Sequence, residues 1–541
     1  NLSHAKFSSR IAQFCSLLWT CQYRTLVSND SISSLTSHPT SFVTPRIYFP
    51  SLCLWINMSK SSKNNLHLTP LSILTVKREN KRPHTFEEIE YFIKSFTACS
   101  TSSDNKDGNN DNGNVDKVKD YHMTAWLMGI CLNGMTPVET SHLTKVMMES
   151  GDALDLSDVV PSTSSSVGKH STGGVGDKIS LILAPLVASF GLVVPHMAGR
   201  GLSHTGGTID KLESIPGFNC HLDILSFKHL LRTVGVAIVS PGKCMVPADK
   251  KMYALRDVTA TVTSIPLQTS SIMSKKLVES ADSLVLDVKF GLGAFQQNAE
   301  DGIELAKSMI SVGESCGRRT SAFITRMDQP IGRAVGNWLE VVESIQTLKN
   351  NGPKDLVDLV LAEAGQMLIQ GGVAESNDLG KAIHMARENL MNGKALQKFY
   401  DMVEAQGGDL EYVKNFEKVK PAKYRANVHA TVIGIVKSID SHEIGLTAVM
   451  LGAGRQCAEE SVCPLAGVYL HKKIGDDIVV GDVLATIHTE QGEHILDVAA
   501  KRVEKSFIIS DGKVDFQSRK LITHFATKDS VEEFDMSLLD F

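Results

Sequence analysis

At 541 residues the chain is too long for one hydrophobic core and predicts two or three domains. Hydrophobic residues make up 42% and charged residues 21%, ordinary for a globular protein, and the net charge of -5 gives no general attraction to nucleic acid or an anionic membrane. Neither partner is expected, so any anion must be held by a local site.

The first methionine is Met58, and the residues before it hold one acidic side chain, Asp30, beside Lys6, Arg10, Arg24 and Arg46. This Ser-rich stretch reads as a transit or weak signal segment, or as translation upstream of the true start. The second reading is preferred, and residues 1–65 are expected to be disordered. The ten cysteines show neither a CxxC pair nor zinc spacing, which predicts free thiols in a reducing, cytoplasmic compartment and no metal.

Residues 66–160 read as helical. TFEEIEYFIKSF places apolar residues at 86, 89, 92, 93 and 96, and Thr85 with Glu88 forms a capping box. The polar insert STSSDNKDGNNDNGN is expected to be a disordered surface loop between two helices. Beyond PSTSSS, the runs LVVPHMA, GVAIVS, SLVLDVK and SAFITR read as buried strands separated by helices or Gly-rich loops. That alternation predicts a mainly parallel central sheet in an α/β domain spanning 163–245 and 279–419. The apolar run from Ile179 to Pro195 is broken by Ser180, Pro185, Ser189 and Gly191, and reads as a buried helix then a buried strand, not a membrane span. From 420 to 541 period-two alternation and Gly/Asp turns predict a β-rich, barrel-sandwich-like C-terminal α+β domain without a carrier lysine.

Three clusters carry chemistry. In KHSTGGVGDKIS the glycines let backbone N–H groups face a ligand, and a helix beginning near Asp177 would aim its positive end at the same place. With Lys169, Ser171 and Ser180 added, the stretch suits phosphate. It is not a nucleotide P-loop, which needs Gly at Thr163 and a hydroxyl at His170. GRGLSHTGGTIDKLE follows a strand directly and offers Thr208; Asp210, Lys211 and Glu213 read equally as site groups or as solvated helix charges, and solvation is preferred for Lys211. The stretch from 246 to 276 supplies Tyr253, Arg256, Ser271 and Lys275, the last two four apart and hence on one helix face.

KHSTGGVGD, GRGLxHTGGTxDKLESIPGF, PAD, YAxRDxTATV, SIPL and DVKxGxGAF, in this order, resemble the thymidine phosphorylase and pyrimidine-nucleoside phosphorylase family from about Leu66 to Thr489. MDQPIGRAVGNWLEV resembles the animal thymidine phosphorylases in particular. The resemblance implies reversible phosphorolysis of thymidine to thymine and 2-deoxy-α-D-ribose 1-phosphate, in pyrimidine salvage or catabolism. It implies a homodimer with no cofactor beyond phosphate as co-substrate, and a discontinuous helical domain that regains about 247–278. Lys169, Ser171, Ser180 and Thr208 would hold phosphate. His170, Arg256, Ser271 and Lys275 would hold the pyrimidine, with Tyr253 near base and sugar and His170, Arg256 and Lys275 catalytic.

The chain departs from the family pattern at Ala198, where a serine precedes GRG, and at Gly168, Ser240, Pro241 and Thr263. One lost donor would weaken phosphate binding by about 1 to 3 kcal/mol. The alternative is therefore a catalytically weakened relative that binds pyrimidines or signals. An anthranilate-type phosphoribosyltransferase is disfavoured by the YALRD motif, the Ser271 and Lys275 pair and the C-terminal β domain.

Overall fold

Residues 68–98, 117–201, 206–242, 245–374, 377–455, 460–515 and 519–540 are described by the structure, a computed structural model. The leader and the polar insert lie outside them. Helix α1 (Pro70–Glu79) starts at Thr69, whose hydroxyl accepts from Ser72 N at 3.1 Å. At α2 (Phe86–Ala98) the expected capping box is present: Thr85 N donates to Glu88 at 2.9 Å and Glu88 N to Thr85 Oγ1 at 3.3 Å. Its Ile89, Phe92, Ile93 and Phe96 are fully buried, and α3 (Asp120–Asn133) and α4 (Pro137–Met148) complete the lobe's first part.

Strand β1 (Val167–Ser171) leads to helix α5 (Ile179–Ala188) and then β2 (Val194–Met197), so the long apolar run is a buried helix followed by a buried strand. β3 (Val236–Val239) pairs parallel with β2. The chain then returns to the helical lobe as α6 (Pro247–Val258) and α7 (Ile265–Val278), whose Met252 and Leu267 share one apolar core with Ile73, Phe92 and Trp126. β4 (Ser283–Phe290) runs parallel between β1 and β5 (Arg319–Arg326). A parallel bridge from Ser166 to Val193 joins both groups, giving the parallel row β3-β2-β1-β4-β5. Four of these strands are the runs read from sequence; β1, inside the KHS motif, is not.

β6 (Ala334–Val335) leaves this lobe and pairs with β9 (Gly467–Leu470). With β7 (Tyr424–His429) and β11 (Val483–Thr489) they form a four-stranded antiparallel sheet. It packs with β8 (Gly434–Ile439), β10 (Asp477–Ile478) and β12 (Phe507–Ser510) around Val428, Val436, Val468 and Ile487. The β-rich expectation for this region agrees, but its extent to 541 needs correction. β13 (Ile522–Ala526) pairs antiparallel with β5 and carries β14 (Val531–Glu533), so the chain ends in the α/β sheet. Phe323 on β5 packs against Phe525 and Phe534, which stabilises the return by apolar burial. Among the described residues no helix is long and apolar enough to cross a membrane.

Candidate active site

The carboxyl ends of β1 and β2 open into a cavity of about 530 Å³ whose opposite wall is α6 and α7. His170, Ser171, Ser180, Thr208, Tyr253, Arg256, Ser271 and Lys275 all line it. Lys169 does not. It lies beneath, 2% exposed, with its ammonium 3.6 Å from Glu363 and without a hydrogen bond.

Strand alternation divides the KHS motif. Lys169 and Ser171 take one face of β1, toward Glu363 and Asp177, and His170 takes the other, toward Lys275 and Lys276. Ser171 Oγ donates to Asp177 at 2.5 Å and accepts from Gly173 N at 3.1 Å, which folds the turn back on the strand. Gly173 (φ +89°) and Gly176 (φ +73°) need the left-handed region, and a Cβ on Gly176 would stand 2.7 Å from the Ile331 carbonyl. The turn therefore presents its backbone to the cavity, with Ser180 in the first turn of α5 beside it.

Burial, reinforced by Lys276, Lys275 and Lys169, pushes the His170 imidazole well below its ordinary value, so it is neutral at pH 7. A pre-charged general acid is thus not what the free protein holds. Burial favours the neutral form of Asp177 too, but Lys289, Lys169 and Lys211 outweigh it and keep the carboxylate charged. Burial raises the Glu363 carboxyl well above its usual range, against Lys169.

On the other wall, Lys275 Nζ donates to Ser271 Oγ at 3.0 Å and to Asp249 at 2.5 Å, so the spacing read as one helix face is one face. Arg256 is 2% exposed and donates to the carbonyls of Val262 (2.8 Å), Leu267 (3.0 Å) and Thr261 (3.3 Å), while its guanidinium carbon lies 5.5 Å from the Tyr253 ring. Arg256 therefore clips the 261–267 segment as well as facing the cavity.

The solvation expected of Lys211 is overturned. Lys211 is fully buried, 2.8 Å from Glu340 and bonded to the Asp177 carbonyl. Asp210 accepts from Gly201 N, Arg200 and Arg455, and Glu213 pairs with Arg200. The helix that carries them, Thr208–Leu212, is too short for a helical pattern to reveal its buried face. Sequence reasoning also missed Asp177 as a site carboxylate, the buried His196 in the cavity wall, and Lys276, which donates to Glu279 at 2.6 Å and to the Met197 carbonyl at 2.9 Å. The signals were the acidic end of TGGVGD and a lone histidine in an apolar strand. Ala198, Pro241 and Thr263 line the cavity, whereas Gly168 and Ser240 do not. Among the described residues no group of three or more His, Cys, Asp or Glu side chains could hold a metal ion.

Family models match in three blocks: the glycosyl transferase family helical bundle domain over 71–151, the glycosyl transferase family a/b domain over 163–396, and the pyrimidine nucleoside phosphorylase C-terminal domain over 435–510. Pyrimidine-nucleoside phosphorylase of Bacillus subtilis (strain 168) is 43% identical over 450 residues, covering 83% of this chain and 99% of the relative. That of Staphylococcus haemolyticus (strain JCSC1435) is 43% identical over 453 residues, covering 84% and 99%. Among solved structures, anthranilate phosphoribosyltransferase from Thermus thermophilus superposes with a TM-score of 0.47 at 18% identity, over 62% of this chain and 99% of that one. Matched along all three of its lobes and over nearly the whole length of these relatives, the chain belongs to the thymidine and pyrimidine-nucleoside phosphorylase family.

Proposed function

We propose that the protein catalyses the reversible phosphorolysis of pyrimidine nucleosides, with thymidine as a substrate. A phosphate oxygen bonds to C1′ as the C1′–N1 bond breaks, the bonding electrons pass to the departing base, and the base takes up the proton that hydrogen phosphate gives up, which yields thymine and 2-deoxy-α-D-ribose 1-phosphate. The observation that carries this reading is one cavity lined by hydroxyl and backbone donors on one wall and by Arg256, Ser271 and Lys275 on the other, with His170 between them.

The chemistry asks for that division. Positive charge builds on the sugar and negative charge on the base, so phosphate on one side and cationic donors on the other both act in the transition state. Ser171, Ser180 and Thr208 hold phosphate, and Lys169 strengthens the positive field from beneath. Lys275, Ser271 and Arg256 face the pyrimidine with Tyr253 beside it, and His170 acts as a neutral N–H donor to the base carbonyl. No cofactor is required. The protein works in the cytoplasm, and as a homodimer, the latter supported by large exposed side chains on the helical lobe, Leu71, Tyr121, Leu132 and Val138.

Incubating the protein with phosphate and thymidine, deoxyuridine or uridine, and separating the free bases, tests the reading. Thymine release dependent on phosphate is expected. Pyrimidine binding by folded protein without turnover at saturating phosphate would instead establish the weakened relative that Ala198 suggests.

A further inference from the structure

Lys178, two residues before Ser180, has no part in the roles above, yet its ammonium is sealed from solvent. It donates to the Ile331 carbonyl at 2.8 Å, the Ala334 carbonyl at 2.9 Å and Glu343 Oε2 at 2.6 Å, which uses all three of its donors. The Glu343 carboxylate in turn accepts from Arg333 N at 2.9 Å and Ala334 N at 3.2 Å, so residues 331–334 wrap around the ion pair. Two glycines permit the approach. Gly332 has φ +67°, and a Cβ there would stand 3.0 Å from Lys178 Nζ; a Cβ on Gly176 would strike the Ile331 carbonyl that the ammonium binds. Ile331 N donates to Val175 O at 3.1 Å, which closes the two turns on each other.

Two backbone carbonyls and a carboxylate, pre-arranged and dry, form the oxygen set that holds a monovalent cation. We infer that the Lys178 ammonium is a built-in monovalent cation, a positioning residue that fixes the phosphate-facing turn from Gly173 to Ser180. Its tether is short: the next residue on one side is Asp177, which orients Ser171, and Lys178 itself is the N-cap residue of α5. Burial opposes the charge, but Glu343 and Glu340 outweigh it and keep the lysine protonated. A turn already holding its own cation has no need of a dissolved one.

The inference rests on the phosphorolysis reading only for its kinetic arm. In wild-type protein, exchanging K⁺ for tetramethylammonium at constant ionic strength should leave the phosphate KM and the Tm unchanged within roughly twofold and one degree respectively. Dependence of the wild type on K⁺ would overturn the inference, whether or not any variant folds. Lys178→Ala should raise the phosphate KM by about tenfold or more, with a smaller change in kcat, because a charged donor holding the turn is lost. Added K⁺ or n-propylammonium should restore both KM and Tm in that variant and neither in the wild type. A phosphate KM within about twofold of wild type, or a folded but impaired variant that neither cation restores, would also overturn it. Should the wild type show no phosphorolysis, the functional reading fails alone, and the cation-dependent rise in the Tm of Lys178→Ala still decides the inference.

Discussion

Lys275 and Asp249 form a 2.5 Å ion pair in the cavity wall, with the Ser271 hydroxyl 3.0 Å from the same ammonium. The carboxylate, on α6, thus holds a cation on α7 in one orientation. Removing the cation should cost more than loosening it. Lys275→Ala is expected to lower kcat on the order of a hundredfold, and Asp249→Asn by roughly tenfold with little change in the phosphate KM. Steady-state kinetics with each substrate varied checks both values; equal effects on both KM values would refute a role confined to the base.

Ala198 follows β2 directly and lines the cavity, partly exposed. Ala198→Ser supplies the hydroxyl that the family resemblance implies at this position. Expected is a fall of about tenfold or more in the phosphate KM, the lower end of what one hydrogen bond to a charged group supplies. An unchanged or higher KM would show that the turn already satisfies phosphate without that position.

Much of this site was legible because its parts are local. Four buried β-branched runs gave strands, a spacing of four put Ser271 and Lys275 on one face, and Thr85 with Glu88 marked a helix start. What stayed hidden depends on distant partners. β1 carries Lys169 and His170 and lacks an apolar run, and it is a strand because β4 pairs with it and Lys169 is buried beside Glu363. Lys211 looked solvated because Glu340, its partner, lies far along the chain. β13 gave no sign that it would cross back to β5, since register across some two hundred residues leaves no local pattern.

His196 is 4% exposed, its Nδ1 lacks a hydrogen bond, and burial with Lys276 and Lys169 nearby holds its pKa well below the ordinary 6.5. Below about pH 6.5 the unfolded chain takes up a proton that the folded protein refuses, so this group's contribution is full above that pH and falls as the pH drops. Glutamine cannot titrate. The Tm difference between wild type and His196→Gln should therefore shift against the wild type between about pH 7.5 and pH 5.5. Thermal scans across that range check it, and a constant difference would mean that the imidazole charges freely in place.

Glu279 has the opposite sign. Burial raises its carboxyl to about 7 even with Lys276 donating to it at 2.6 Å, and it also accepts from Met197 N at 3.3 Å. The unfolded chain releases this proton near 4.5, so stability falls as pH rises from there and levels off once the folded group ionises near 7. Lys276→Met removes the partner that limits the rise, and the folded variant keeps its proton to higher pH. Its loss continues at about 1.4 kcal/mol per pH unit where the wild type flattens. Urea denaturation at pH 7 and pH 8 should show the gap between the two widening by about 1 kcal/mol, and Glu279→Gln in the Lys276→Met background should abolish the widening. A gap that is the same at both pH values would place the charge of Glu279 elsewhere than on its bond to Lys276.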